Sequence, residues 1–197
     1  MGWTDLLGLV SFGIAGAGSP GPNNTLLLAS GVNFGFRRTL PHVFGAALGV
    51  GALVISAAAG VGALLEVVPG SQVVLQIGGS LYLLYLSFRI AGTSTVKSAV
   101  VAKTLSAWEA RIFQLINPKA WLVAIGLVAA FLPPAMPTIV GGPLVAAIQS
   151  LVCITAFSVW AMGGAALSRV LMNERAVRTV NLGLAILLVA SVALLWM

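Results

Sequence analysis

The stretch Gly18-Ser19-Pro20-Gly21-Pro22-Asn23-Asn24 lies inside an apolar run, residues 6–31, that is otherwise long enough to cross a membrane. Proline lacks a backbone N–H and clashes with the preceding turn, so Pro20 and Pro22 cannot both lie in an unbroken helix. Backbone groups freed by such a break are tolerated at membrane depth only where they face protein or a water-filled cavity. The sequence therefore predicts a discontinuous helix lining a polar cavity near the midplane, where transporters bind cargo.

The composition is that of an integral membrane protein. Hydrophobic residues make up 59% of the 197 residues and charged residues 7%, whereas a soluble domain carries about 25% charged residues. The net charge of +6 does not indicate nucleic acid, because basic residues in a membrane protein report its orientation. Cys153 is the single cysteine of the sequence, so the chain can form neither an intrachain disulfide nor a CxxC pair. We expect neither a cofactor nor a metal. A cleavable signal peptide is not expected either, because the first residues lack the basic region that such a peptide carries.

Six apolar segments approach the length of about 20 residues that a spanning helix needs. All ten Lys and Arg residues lie in or beside the connections that follow predicted spans 1, 3 and 5. Because Lys and Arg favour short cytoplasmic loops, this pattern predicts that both termini lie on the outer side. The predicted spans are residues 6–31, 42–67, 71–91, 112–132, 144–167 and 177–196.

The second half of the chain carries a break of its own, Asn117-Pro118-Lys119, near the start of predicted span 4. Three spans per half reverse the orientation of the second half, so spans 1–3 and 4–6 would form an inverted pair. Interrupted helices at corresponding positions of two halves are the sequence feature that best indicates a transport site. We therefore predict one all-α membrane domain, residues 1–197, with inverted three-helix repeats and broken helices 1 and 4.

The two breaks supply the candidate binding groups. The first N–H groups after Pro22 lack an intrahelical partner, and Asn23, Asn24 and Thr25 would present them to a carboxylate at the positive end of a helix dipole. The carbonyls of residues 16–18 could accept from an ammonium group. The alternative is a packing kink whose asparagines bond a neighbouring helix. The predicted substrate-binding residues are Pro20, Gly21, Pro22, Asn23, Asn24, Asn117, Pro118 and Lys119.

Four cationic or titratable side chains each allow two interpretations. Lys119 could neutralise a carboxylate or exchange a proton during transport, or it could extend to the inner interface and only mark topology. Arg37 and Arg38 are typical of headgroup anchors, and contact with an inner gate is the alternative. His42, at the start of predicted span 2, could relay protons, although an interfacial histidine is more often simply solvated.

Other polar and small residues leave similar choices open. Gln76, Gln114 and Gln149 could line the cavity or bridge helices. The GxxxG segment at residues 45–49 permits close helix contact, either within one chain or between the two chains of a homodimer.

Three segments are similar to those of a known family. Residues 18–24, residues 33–38 and Asn117-Pro118-Lys119-Ala120-Trp121 together resemble the LysE family of exporters, most closely its homoserine/threonine branch. The resemblance covers essentially the full length. It implies a bacterial inner-membrane exporter of amino acids or related metabolites, driven by the proton gradient and working by antiport and alternating access.

The positions of the acidic residues bear on the class of cargo. Asp5, Glu66, Glu109 and Glu174 all fall at span ends or in connections, whereas a basic amino acid or a metal ion would favour a buried carboxylate. We therefore expect a neutral zwitterion or a mildly anionic metabolite. A membrane-embedded enzyme is disfavoured because the single His and the single Cys are far apart in sequence. An exporter of another metabolite or cation, or a channel, remains an alternative.

Overall fold

The structure, a computed structural model, describes residues 2–61, 70–91, 104–133, 136–170 and 174–196. Within these ranges the chain forms eight helices and no strand, which confirms the all-α class for the part described. The helices are α1 (Trp3–Gly18), α2 (Pro22–Phe34), α3 (Phe36–Ala58), α4 (Ser71–Ala91), α5 (Ala107–Leu115), α6 (Pro118–Phe131), α7 (Thr138–Val170) and α8 (Glu174–Leu195).

Three helices, α3, α7 and α8, are each long and apolar enough to cross a membrane. Helices α5 and α6 form a pair bent by 72° that could provide a fourth span. Large apolar side chains such as Phe88, Leu122 and Leu151 are exposed on the outer surface, as expected where a helix faces lipid. The chain is therefore a multi-pass membrane protein, while the count of six spans, the inverted repeat and the orientation of the termini remain predictions.

The predicted break in span 1 is confirmed, and a break also lies at residues 116–117 between α5 and α6. Ser19, with φ −66° and ψ 147°, ends α1 in an extended conformation, as the residue before a proline prefers. Pro22 and Pro118 are the first residues of α2 and α6. Proline suits that position because its missing N–H would have had no partner there.

Several predicted boundaries are wrong. Helix α3 begins at Phe36 rather than at residue 42. The chain turns from α2 into α3 at the single residue Gly35, whose φ of +77° is readily adopted by glycine. The last residues of the connection predicted over 92–111 are helical, because α5 begins at Ala107. Ser106 caps this helix through a reciprocal pair of hydrogen bonds with Glu109. Helix α7 begins at Thr138, inside the loop predicted over residues 133–143. Residues 62–69 and 92–103 lie outside the described residues.

Helices α3 and α7 form the centre of the fold and pack on most of the other helices. A side chain at Gly45 would collide with the backbone carbonyl of Ala107, so the GxxxG segment brings α3 against α5 within one chain. Gly31 on α2 and Gly164 on α7 permit an equally close approach, to the carbonyls of Ala161 and Leu28. This close packing holds the ends of α1 and α5 near the same level of the molecule.

Candidate functional site

The two helix breaks meet at one cavity, which we call the central cavity. About 40 Å³ of it is open to the centre of a water molecule, and one water needs roughly 10–15 Å³. The sequence predicted that a cavity would lie at these breaks. Its wall consists of Gly16, Ala17, Gly21, Asn23, Asn24, Val50, Gln114, Asn117, Lys119, Ala120, Val123, Gln149, Cys153 and Phe157.

The structure places five of the predicted site residues on this wall, namely Gly21, Asn23, Asn24, Asn117 and Lys119. The three prolines contribute in other ways. Pro22 and Pro118 start the helices, and the carbonyl of Pro20 accepts a hydrogen bond from Lys119 at 3.0 Å. Sequence analysis did not identify the apolar part of the wall, since Val50, Cys153 and Phe157 look like ordinary helix-packing residues.

Lys119 ties α6 to the break between α1 and α2. Its Nζ donates to Ser19 O at 2.9 Å, to Ser19 Oγ at 2.8 Å and to Pro20 O at 3.0 Å. The side chain therefore extends to the break, and the interpretation in which it reaches for the interface does not fit these contacts. Gly21 has extended backbone that any residue could adopt, and a Cβ there would lie 3.0 Å from Lys119 Nζ, so a larger residue would require the lysine side chain to shift slightly.

The carbonyls at the end of α1 are already hydrogen-bonded within the protein. Asn24 Nδ2 donates to Ala17 O at 2.7 Å and to Ser19 O at 2.8 Å. Trp160 Nε1 donates to Gly18 O at 3.1 Å, and Ser19 Oγ donates to Gly16 O at 3.1 Å. Buried carbonyls freed by a break need donors of their own, and these carbonyls have them; that they also accept from a cargo ammonium stays a prediction.

These backbone contacts determine the direction of a buried chain of amides. Asn24 faces two carbonyls, which can only accept, so its nitrogen must point to them and its Oδ1 must face Asn23. Asn23 Nδ2 donates to that oxygen at 3.4 Å. Asn23 Oδ1 consequently accepts, from Gln114 Nε2 at 2.8 Å and from His42 Nε2 at 3.4 Å.

Beyond Asn23 the chain divides into two branches, and each branch ends in an acceptor without a partner. Gln114 Oε1 accepts from Asn117 Nδ2 at 3.3 Å, which leaves Asn117 Oδ1 buried without a partner. On the other branch His42 donates through Nε2, and its Nδ1 is left without a partner. Gln149 adds a third such acceptor, because its Nε2 contacts Cys153 Sγ at 3.4 Å and its Oε1 has no partner.

The wall of the central cavity thus includes both cationic and accepting residues. Lys119 and the N-terminal ends of α2 and α6 provide positive charge, and helix N-termini favour anions. Asn117 Oδ1 and Gln149 Oε1 provide acceptors that require a donor. No Asp or Glu among the described residues lines the cavity. This arrangement suits a molecule that carries one carboxylate and one ammonium group.

His42 is not the solvated interfacial residue that its sequence position indicated. It lies in the second turn of α3 with 1% of its surface exposed, and it contacts α2 through Asn23. The early start of α3 carries it into the interior. Arg37 and Arg38 are exposed at the start of the same helix, and both of their interpretations remain open.

Comparison with known proteins identifies the family. Residues 14–196 match the family described as LysE type translocator. The cysteine/O-acetylserine efflux proteins of Escherichia coli (strain K12) and of Escherichia coli O9:H4 (strain HS) are each 30% identical over 175 residues, 87% of this chain and 87% of theirs. That of Escherichia coli O139:H28 (strain E24377A / ETEC) is 29% identical over the same share. No solved structure matches the chain. The chain belongs to the LysE type translocators, a family of transporters and not of enzymes.

Proposed function

We propose that this protein exports a small neutral amino acid across the bacterial inner membrane, and that the cargo binds in the central cavity. The observation that carries the proposal is that the wall of one cavity includes a lysine and two residues with unpartnered acceptors. The relatives are named for the efflux of cysteine and O-acetylserine, both neutral amino acids. The mechanism is alternating access, with the helices on either side of the breaks moving around the site.

The polar groups of the cavity suggest an orientation for the cargo. Its carboxylate lies toward Lys119 and the first turn of α2, where the N–H groups of Asn23 and Asn24 lack intrahelical acceptors. Its ammonium group lies toward Asn117 Oδ1 and Gln149 Oε1. A second positive charge on the cargo would find no carboxylate on the described wall, so lysine and arginine are disfavoured.

The rest of the wall favours a short, weakly polar side chain. Val123, Cys153 and Phe157 form the apolar part of the wall. With about 40 Å³ open to water centres, the cavity holds only a few waters and must widen to admit an amino acid. Cysteine, O-acetylserine, homoserine and threonine all have the ammonium and carboxylate groups that the polar residues suit. The part of the cavity that holds the cargo side chain therefore determines which of them is transported.

Lys119 provides a link between cargo binding and movement. All three of its protons are donated to the α1–α2 break, so a cargo carboxylate must take the ammonium away from at least one of these acceptors. Loss of that contact loosens the attachment of α6 to the break. Cargo thus shifts the equilibrium toward the loosened state, which it binds more tightly.

Counterflow in proteoliposomes tests the proposal. Vesicles loaded with unlabelled cysteine, O-acetylserine, homoserine, threonine or lysine are assayed for uptake of the labelled amino acid, with and without an imposed pH gradient. We expect saturable exchange of the neutral amino acids and none of lysine. N-acetylated and methyl-ester analogues should not compete, because each removes one of the two charges that the cavity binds.

Matched variants connect the transport to this cavity. Lys119→Gln and Asn23→Ala should abolish exchange, whereas Arg178→Gln, which removes an exposed cation outside the cavity, should leave it unchanged. Exchange of lysine without exchange of neutral amino acids would overturn the class of cargo. Flux that neither saturates nor shows counterflow would identify a channel instead.

A further inference from the structure

A second cavity lies between α2, α3, α4 and the residues that precede α5. About 60 Å³ of it is open to water centres. Its wall includes Arg89 at the end of α4, and it lies at the end of the molecule where α3 begins with Arg37 and Arg38. We call it the basic-end cavity. The charge pattern predicts that this end faces the cytoplasm.

His42 stands between the two cavities. It lines the basic-end cavity, while its Nε2 contacts Asn23 on the wall of the central cavity at 3.4 Å. Since Nε2 donates to Asn23, Nδ1 is an acceptor, and it is buried without a partner. A buried acceptor in this state requires a donor. The ammonium group of a cargo molecule could provide one.

Ser30 supplies a second acceptor in the basic-end cavity. Thr39 Oγ1 donates to Gly35 O at 2.9 Å, so the 2.9 Å contact between Ser30 and Thr39 must have the Ser30 hydroxyl as donor. The lone pairs of Ser30 Oγ thus remain able to accept. The neighbouring Asn33, by contrast, has its amide engaged with Asn181 in both directions.

Arg89 gives the same cavity a cationic side. Its guanidinium carbon lies 5.7 Å from the centre of the Tyr85 ring. A guanidinium has five N–H donors in a planar fork, so it can serve several partners and bind a carboxylate with two parallel hydrogen bonds. The basic-end cavity therefore repeats the character of the central cavity, with a cation and bare acceptors on one wall.

We propose that the basic-end cavity is a second binding site for the headgroup of a neutral amino acid, occupied before the cargo enters the central cavity, with His42 as the partition. Arg89 takes the carboxylate, and His42 Nδ1 and Ser30 Oγ take the ammonium group. To pass on, the cargo must separate His42 from Asn23. That contact, at 3.4 Å, is longer than the 2.8 Å bond between Asn23 and Gln114. The contact with His42 is therefore the weaker of the two hydrogen bonds that Asn23 accepts.

This inference rests on the proposed function, and its test uses the sidedness of transport. Everted membrane vesicles expose the cytoplasmic face and right-side-out vesicles expose the outer face. Labelled cysteine and threonine serve as probes, and the KM is measured from each face. Arg89→Gln and Ser30→Ala are compared with Arg178→Gln, which removes an exposed cation that lines neither cavity.

We expect Arg89→Gln to raise the KM from the cytoplasmic face by about tenfold, as for the loss of a hydrogen bond to a charged group, with an unchanged KM from the outer face. Ser30→Ala should raise the KM from the cytoplasmic face by a smaller factor, and Arg178→Gln should leave the KM from both faces unchanged. His42→Phe should slow exchange from both faces.

Equal KM values for wild type and both cavity variants, or equal increases from both faces, would overturn the second site while leaving the central cavity intact as the cargo site. Absence of any exchange by folded wild-type protein would instead overturn the proposed function and this site together.

Discussion

Lys119 donates from its Nζ to the carbonyl oxygen of Ser19 at 2.9 Å, across 100 positions of the sequence. The same ammonium group also bonds Ser19 Oγ and Pro20 O. The contact joins the two helix breaks of the chain, one in each half. It satisfies carbonyls that an interrupted helix leaves without partners, and it holds a positive charge where the carboxylate of a cargo molecule is expected.

Replacement of Lys119 by Gln should destabilise the protein as well as stop transport. Hydrogen bonds to charged groups contribute about 1.5–3 kcal/mol, and we expect the free energy of unfolding to fall by about this amount. Reversible unfolding in mixed micelles measures the change, with Arg38→Gln as the control for loss of an exposed charge. Equal stabilities of the two variants would show that the contacts of Lys119 with the break contribute nothing to the fold.

The bond between Asn23 and Gln114 should appear as coupling in a double-mutant cycle. Each single change to Ala leaves a buried amide group unpaired, at a cost of about 1–3 kcal/mol. Because the two amides are direct partners at 2.8 Å, we expect the double variant to lose less than the sum, with a coupling free energy of at least about 0.5 kcal/mol. Asn23→Ala combined with Thr179→Ala is the control, since Thr179 is exposed and bonds within α8. Additivity in both cycles would contradict the network.

Two adjacent glycines of α7 should respond in opposite ways to the same substitution. A Cβ at Gly164 would collide with the backbone carbonyl of Leu28, and backbone cannot move aside as a flexible side chain can. We expect Gly164→Ala to destabilise by about 1–3 kcal/mol, as overpacking does. At Gly163 the nearest atom to a Cβ is Leu28 Cδ1 at 3.8 Å, so Gly163→Ala should be neutral or stabilising by up to about 1 kcal/mol. Thermal unfolding in detergent compares the pair, and a similar change in both would refute the close contact of α2 with α7.

The reciprocal amide pair of Asn33 and Asn181 should tolerate a double change better than a single one. The two side chains exchange hydrogen bonds of 2.9 and 3.0 Å between α2 and α8. Asn181→Leu leaves the buried Oδ1 of Asn33 without a donor, while Nδ2 keeps its bond to Ala29 O, and the unpaired oxygen should cost about 1–3 kcal/mol. The double change to Leu removes both polar groups, and we expect it to recover part of this loss. A double variant less stable than either single one would argue that the pair has a further role in packing.

Local chemistry made the two helix breaks predictable. A proline affects only its own turn and the residue before it, so Pro20, Pro22 and Pro118 could be interpreted without knowledge of any other helix. The helix starts at Pro22 and Pro118 agree with that interpretation. The GxxxG segment was partly interpretable, since its small residues predicted close contact, whereas the partner, α5 with Ala107, depends on how the helices are arranged.

The environment of His42 and the state of the carbonyls near Gly18 could not be predicted in the same way. His42 stands beside Pro41 at the edge of a predicted span, and only the start of α3 at Phe36 places it against Asn23. The carbonyl of Gly18 is bonded by Trp160, from a helix that is distant in sequence. Such partners are brought together by the packing of helices, which cannot be inferred from a single sequence.

The sequence by itself determined the membrane class, the all-α composition and the places where helices break, because hydropathy and proline chemistry act over one helix or less. Only the tertiary structure decided that the two breaks meet, that Lys119 spans them, and that the amides of Asn24, Asn23, Gln114 and Asn117 form a chain with one direction. The physical reason is that a hydrogen bond needs two groups in contact, and these groups lie on helices that are far apart in the chain. The direction of the whole network follows from the two carbonyls that face Asn24.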